Sequence, residues 1–206
     1  AVLRRESMVG DAAPLRGRRR RELERRARQV ERATGAAYAT EDLASESGAL
    51  DAFLRLEAAG WTGRLGTALD SRPDTATYAR EAAAALQRDG RLVLLSTRVG
   101  TTLAAGLFGI RRAGTLFMYK IAYDEALAPF SPGTQLVHDL TRWFAADASL
   151  TEIDSCADPA NEFINRLFPD RKDFATVLVP LDRVGACVAT VTPPLVQFVR
   201  RLRRRG

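Results

Sequence analysis

The chain has 206 residues, 46% hydrophobic and 27% charged, with 15 Gly and 9 Pro; that suffices for one compact α/β domain, falls short of two ordinary domains and excludes wholesale disorder. Its net charge of +6 is unevenly placed: residues 1–35 carry eleven Arg against five acids, residues 200–206 carry five Arg, and the body between is net acidic. A generally basic binding face is therefore excluded.

The start, Ala1 to Arg5, lacks the apolar region and cleavage site of a secretory signal. Without an initiator Met, the sequence is expected to begin partway through a longer reading frame. The longest uncharged run near the end, Val184 to Val199, is sixteen residues broken by Pro193 and Pro194, short of the roughly 20 that span a bilayer. Cys156 and Cys187 make no disulfide framework and, with the lone His138, no metal-ligand spacing. A cytoplasmic location and no bound metal are expected.

From Leu15 to about Thr34 the pattern puts Leu23, Ala27 and Val30 on one helical stripe, with Glu22–Arg26 and Glu24–Arg28 as i,i+4 pairs and Gly35 as the stop. This helix is either solvated and packed by a narrow stripe, or a site for an anionic ligand or partner. Ser47 is placed to cap a second helix running through Leu50, Phe53, Leu54 and Glu57 to Gly60. A turn-rich stretch to Gly66 follows, and then a third helix from Pro73 to Gly90.

The character then changes. Residues 91–97, 101–110 and 115–123 are rich in β-branched and aliphatic residues, and the short turns between them predict an antiparallel meander. A loop covers Asp124 to Pro132. The next helix, from Gly133, runs through Leu136, Leu140, Trp143 and Phe144 at helical spacing. A short strand at residues 151–156, a helix at residues 159–168 opened by Pro159, and a last strand at residues 174–180 complete the core. Leu195, Phe198, Val199 and Leu202 suit one face of a terminal helix.

Several residues carry chemistry. Lys120, one of only two lysines, is expected by strand alternation on the face opposite Tyr119 and Ile121. It either binds an anionic group or stabilises a developing oxyanion, or it pairs with Asp124, Glu125 or Glu57. Asp124 and Glu125 follow the strand, where they could accept a proton from an attacking ammonium or orient it; the alternative is a solvated acidic turn. Trp61 and Arg64, in a turn with Gly63 and Gly66, could offer an aromatic surface and a guanidinium to a substrate, with Glu57 orienting Arg64 or Lys120; the alternative is a structural corner. At the helix entry, Ser131 and Thr134 can donate to an anion and Gly133 allows close backbone approach; plain capping is the competing reading. Cys156 reads as a small core residue rather than a nucleophile, and His138 as structural.

Longer strings carry a resemblance. Residues 56–69, LEAAGWTGRLGTAL, then 119–125, YKIAYDE, then Ser131-Pro132-Gly133, with Asp154 to Ala157 and Asn165 to Phe168 following in order, resemble the GNAT-superfamily acyltransferases of cellulose and exopolysaccharide biosynthesis. The Arg-rich helix at residues 18–28 belongs to the same likeness, which covers roughly residues 15–180. These proteins are related to Fem-type aminoacyl transferases with two GNAT-like lobes, and this chain resembles the second lobe. The resemblance implies an α/β (α+β) fold with a mixed, largely antiparallel sheet flanked by helices and preceded by the Arg-rich helix. It divides the chain into a basic connector at 1–36, an acyltransferase lobe at 37–183 and a basic tail at 184–206.

Also implied are acyl-CoA (acetyl-CoA) as co-substrate and a small-molecule or glycan-precursor acceptor. The catalytic set would be Lys120, Tyr123, Asp124 and Glu125. Ser131, Gly133 and Thr134 would bind the cofactor, and Glu57, Trp61 and Arg64 the acceptor. The superfamily's pyrophosphate loop reads Q/R-x-x-G-x-G/A, whereas here Phe130 and Gln135 stand at its ends and only Gly133 is kept. All four tyrosines precede residue 124, so protonation of the departing thiolate falls to Tyr123 or to a water.

The leading expectation is acyl transfer to an amine or hydroxyl of a sugar-nucleotide or polysaccharide precursor. Alternatives are a Fem-like enzyme using aminoacyl-tRNA, or a non-catalytic scaffold lobe whose basic ends dock on an anionic lipid surface, nucleic acid or a synthase complex. A first GNAT-like lobe of the same protein is the expected partner. All of this requires a sheet that opens beside Lys120 and the Ser-Pro-Gly bend.

Overall fold

The computed structural model describes residues 1–8, 17–175, 179–183, 185–186 and 188–190. Two compact units divide the chain, Ala1–Arg171 and Lys172–Gly206. In the second, Asp182 holds one turn together: its side chain accepts the Gly185 N–H at 2.6 Å and its carbonyl the Ala186 N–H at 3.0 Å.

The first unit carries β1 (Val2–Arg4), α1 (Arg18–Thr34), β2 (Tyr38–Asp42), α2 (Ala49–Ala59), α3 (Trp61–Arg64), α4 (Pro73–Arg88), β3 (Leu92–Val99), β4 (Thr102–Arg112), β5 (Thr115–Tyr123), α5 (Pro132–Ala146), β6 (Glu152–Asp154) and α6 (Glu162–Asn165). One six-stranded sheet runs in the order β1-β6-β5-β4-β3-β2. The β3–β4–β5 meander is antiparallel, as expected, and β6 joins β5 in parallel. The mixed, largely antiparallel sheet flanked by helices is thus the one the sequence implies.

Alternation along β3 sends Val93 and Leu95 to one core and Leu92 and Leu94 to the other. The first core is closed by α1 through Leu23 and by α5 through Leu136, Leu140 and Phe144; the second by Phe53 and Leu54 of α2 and by Ala79 and Ala83 of α4. Each fully buried Phe or Leu contributes roughly 1.5–3 kcal/mol. Arg5 rivets the N-terminal segment to the far end of α5. Its guanidinium donates to the carbonyls of Phe144 at 2.7 Å, Ala145 at 3.2 Å, Asp147 at 2.5 Å and Leu150 at 2.9 Å.

Several elements depart from expectation. Glu24 pairs with Arg20 rather than Arg28, at 2.9 Å. Ser47 does not cap α2; Gly48, left-handed with φ 79°, occupies that position. The stretch after Gly60 holds the helical turn α3, and residues 125–130 coil into a 3-10 turn. Instead of a helix over residues 159–168 there is only α6, because the Asn161 side chain accepts the Ile164 N–H at 3.1 Å and starts the helix after Pro159. β1 and β2 were not foreseen. Of the expected last strand, residues 174–175 and 179–180 form no strand and residues 176–178 lie outside the described residues, as do the expected terminal helix, Cys187 and residues 15–16. Cys156, expected in the core, is exposed, in a left-handed turn with φ 49°.

A β-bulge re-aims the middle of β5. Phe108 pairs with Lys120 but Gly109 pairs with Met118, which leaves Tyr119 as the extra residue. The Phe108 ring meets Phe53 of α2 edge-on at 6.1 Å and Tyr119 at 5.5 Å, and Lys120 reaches Glu57 of α2. Tyr119 and Lys120 therefore share the α2 side, whereas Ile121 faces the α5 core. Simple alternation had put Tyr119 and Lys120 on opposite faces.

Candidate active site

The sheet opens where β5 outruns β6. Parallel pairing covers only Thr115, Leu116 and Phe117, and from Met118 to Tyr123 that edge of β5 has no strand partner among the described residues. Asp124 donates its N–H to Ala104 of β4 at 2.8 Å, so alternation leaves the Tyr123 N–H on the unpaired edge.

The first turn of α5 lies beside that edge. Ser131 adopts a left-handed conformation, φ 56°, ahead of Pro132. Its N–H goes to the Ala128 carbonyl at 2.9 Å, and its own carbonyl takes the N–H groups of Thr134 and Gln135 at 3.1 Å each. Pro132 has no N–H. The Gly133 N–H is left without an acceptor among the described residues, at the positive end of the helix. A Cβ on Gly133 would stand 3.4 Å from Tyr123 Cδ1, so the glycine keeps the space between ring and helix clear.

Two adjoining cavities share Ser131, Thr134 and Phe163. The smaller, about 320 Å³, is lined also by Tyr123, Ala128 and Gly133. The larger, about 810 Å³, takes its walls from α1 and α6, including Arg18, Arg19, Arg26 and Arg166. Arg26 closes on the loop: Nη1 donates to Ser131 Oγ and, at 3.4 Å, to the Pro129 carbonyl, while Nε donates to Glu22 at 2.9 Å. The Arg25 and Arg26 guanidiniums hold the Glu22 carboxyl down at about 2.

The other sequence-selected residues gather on the α2 side. Lys120 Nζ is 2.8 Å from Glu57 Oε1 and donates to the Thr67 carbonyl at 3.0 Å. Arg64 donates to Glu125 at 2.9 Å, and that bond first, with desolvation opposing it, holds the Glu125 carboxyl below its usual range. Arg64 is raised chiefly by its bond to Glu125. Trp61 is half exposed, at 51%. Asp124 turns back to accept the Ala126 N–H at 2.9 Å.

The structure thus brings Tyr123, Ser131, Gly133 and Thr134 together at one cleft and Glu57, Trp61, Arg64, Lys120 and Glu125 into a second cluster. Sequence reasoning offered the Arg-rich helix as a site for an anionic ligand or partner, one of two readings, but assigned no role in the site to Arg19, Arg26, Phe163 or Arg166 individually. A signal existed for two of them: Arg19 and Arg26 fall on the same stripe as Leu23 and Val30, the buried residues of α1, so their charges lie toward the packed side of the helix.

The family model described as an acetyltransferase (GNAT) domain matches residues 17–174. The chain belongs to that family. Among solved structures, this GNAT domain is similar to an aminoglycoside acetyltransferase, meta-AAC0020, from an uncultured soil metagenomic sample in complex with sisomicin. The TM-score is 0.52 at 15% identity, over 70% of this chain and 97% of that one. It is similar also to a possible acetyltransferase from Clostridium difficile 630, with a TM-score of 0.52 at 12% identity over 69% and 98% of the two chains. These likenesses concern the fold. No curated protein matches. Among the described residues no helix of the GNAT domain is long and apolar enough to cross a membrane, and no group of acidic, His or Cys side chains is placed to hold a metal.

The residues present fit an acyl-CoA. An unpaired amide at a helix start and the arginines of the larger cavity suit a diphosphate, although Arg26 and Arg166 are paired with Glu22 and Glu162, which line it too, and the smaller cavity lies against Tyr123 at the end of β5.

Proposed function

We propose that this GNAT domain transfers an acyl group from acyl-CoA to an amine or hydroxyl of a sugar-nucleotide or polysaccharide precursor. One observation carries the reading: the free edge of β5 runs directly to the unpaired Gly133 amide and the arginine-lined cavity. The Tyr123 N–H, on that unpaired edge, would be the donor to a thioester carbonyl laid along it, and a fixed amide in that role stabilises the oxyanion of the tetrahedral intermediate. The acceptor's lone pair forms the new bond to the carbonyl carbon. The C–S bond then breaks, and the thiolate takes up the proton the acceptor gives away, with the Tyr123 hydroxyl or a water relaying it.

The acceptor side would be the α2–α3 cluster. An exposed indole at Trp61 beside the Arg64–Glu125 fork combines a flat apolar surface with paired polar groups, a combination that suits a sugar ring. The metagenomic enzyme has been solved with sisomicin and with trehalose, which agrees with a saccharide acceptor. Glu125, kept ionised by Arg64, would orient an acceptor ammonium rather than deprotonate it strongly.

Isothermal titration of acetyl-CoA and longer acyl-CoAs, followed by a thiol-release assay against amino sugars, nucleotide sugars and oligosaccharides, tests the reading. Saturable heat and thiol release with a saccharide acceptor are expected. Absence of heat with every thioester would overturn it.

A second reading is transfer from aminoacyl-tRNA in the manner of Fem-type enzymes. It draws on the closed Phe130–Gln135 loop and on Arg21, Arg25, Arg28 and Arg32, exposed along the outer face of α1. Retention of charged tRNA at low salt would favour it, and failure to retain any would remove it.

A further inference from the structure

We infer that Arg26, a residue of α1 outside the helix-entry loop, is the principal group that binds the phosphates of the acyl donor. The inference rests on the acyl-CoA reading above.

A diphosphate is met by as many fixed donors as the protein can aim at it. Here the loop offers few. Gln135 Nε2 donates to the Phe130 carbonyl at 2.7 Å and Gln135 is buried, at 4% exposure. The two positions at which the loop departs from the family pattern are thereby joined to each other. With the Ser131, Thr134 and Gln135 amides engaged on neighbouring carbonyls and Pro132 lacking one, Gly133 alone is free.

Arg26 supplies what the loop lacks. Its Nε is held by Glu22 and its Nη1 by Ser131 Oγ, so the guanidinium plane is fixed before any ligand arrives. Its Nη2 has no acceptor among the described residues, and the side chain lines the larger cavity, where it is one-third exposed. A pre-aimed fork loses little rotamer freedom on binding. Arg19 and Arg166 line the same cavity, whereas Arg25, which shares Glu22, is exposed and forms no part of that lining.

The competing account makes Arg26 a strut that merely ties α1 to the loop. Titrations of wild type, Arg26→Gln and Arg25→Gln with acetyl-CoA, at low and high salt, separate the two. S-acetyl-pantetheine, which has the thioester arm without the nucleotide phosphates, serves as a second probe. For Arg26→Gln, acetyl-CoA affinity is expected to fall about tenfold or more at low salt, with the loss shrinking at high salt because a charge contact is screened. Binding of S-acetyl-pantetheine and of acetyl-CoA by Arg25→Gln is expected to stay at the wild-type level.

An equal loss on both probes, or a loss independent of salt, would identify a strut and overturn the inference. So would an Arg26→Gln protein that binds acetyl-CoA like wild type. A wild type that binds no acetyl-CoA would instead overturn the acyl-CoA reading itself. Thermal melts of each variant confirm that folded protein is being compared.

Discussion

Lys120 Nζ on β5 lies 2.8 Å from Glu57 Oε1 on α2, and the second oxygen of Glu57 accepts the Leu69 N–H at 2.9 Å. The Glu57 side chain is fully buried, while Lys120 is one-quarter exposed. Removing the lysine strands a carboxylate in the core. A fully buried pair broken this way costs about 3–5 kcal/mol, and the partial exposure of Lys120 brings the expectation for Lys120→Met to about 2 kcal/mol. Lys120→Met with Glu57→Gln should recover much of that loss. Urea melts of the two single variants and the double variant form the cycle that measures it, and strict additivity would argue against the coupling.

Gly63 sits where the chain doubles back at the end of α2. A Cβ there would stand 1.8 Å from the Ala58 carbonyl oxygen and 2.6 Å from its carbon, both backbone atoms that cannot turn aside. Gly63→Ala should therefore cost ~3 kcal/mol and lower the midpoint of a thermal scan by several degrees. An unchanged midpoint would mean that the α2–α3 junction relaxes freely.

Gly133→Ala should separate stability from binding. The new methyl meets only the edge of the Tyr123 ring, at 3.4 Å, and alanine in a helical turn is favoured over glycine by up to about 1 kcal/mol. Folding should hold or improve. Affinity for acetyl-CoA should fall about tenfold, a loss of about 1.4 kcal/mol, since the methyl takes up space beside the free amide. Paired melting and titration experiments check both halves.

Asp139 of α5 should give stability a specific acid limb. Burial alone would push its carboxyl up, but contacts from His138, Thr40 and Tyr38 together outweigh it and leave the group below the usual range. A depressed carboxyl stabilises the fold above the unfolded-chain value, about 3.9, and that contribution is lost as pH falls through the native value. Stability of the wild type should decline below about pH 4, and Asp139→Asn should show a shallower decline from a lower plateau. Denaturant titrations from pH 7 to pH 3 measure the difference.

Much of this architecture is visible in the residues themselves. The apolar runs of β3, β4 and β5 have both faces covered by helices, so they read as strands without alternation, and α5 announces itself by Leu136, Leu140 and Phe144. β2, Tyr-Ala-Thr-Glu-Asp, is a polar edge strand with no local hydrophobic signal; it forms because Thr40 and Tyr38 reach α5 and Asp42 accepts the Leu94 N–H. The bulge at Tyr119 was equally hidden, since one inserted residue reverses a side chain without altering composition.

At the cleft, Tyr123, Ser131, Gly133 and Thr134 were legible because they lie close in sequence. Arg26 was not. Its meeting with Ser131 joins parts of the chain 105 positions apart, and only the packed stripe of α1 brings them into register.

The rivet at Arg5 bears on how the protein can be produced. Trimming the chain back to Arg18 would remove β1 and strip the donor from the carbonyls of Phe144 and Ala145 at the end of α5 and of Asp147 and Leu150 just beyond it. It would also leave β6 with a bare backbone edge, the kind of surface that recruits strands from neighbouring molecules. Residues 1–8 are thus expected to guard the β6 edge against association, at the opposite end of α5 from the Ser131–Gly133 turn.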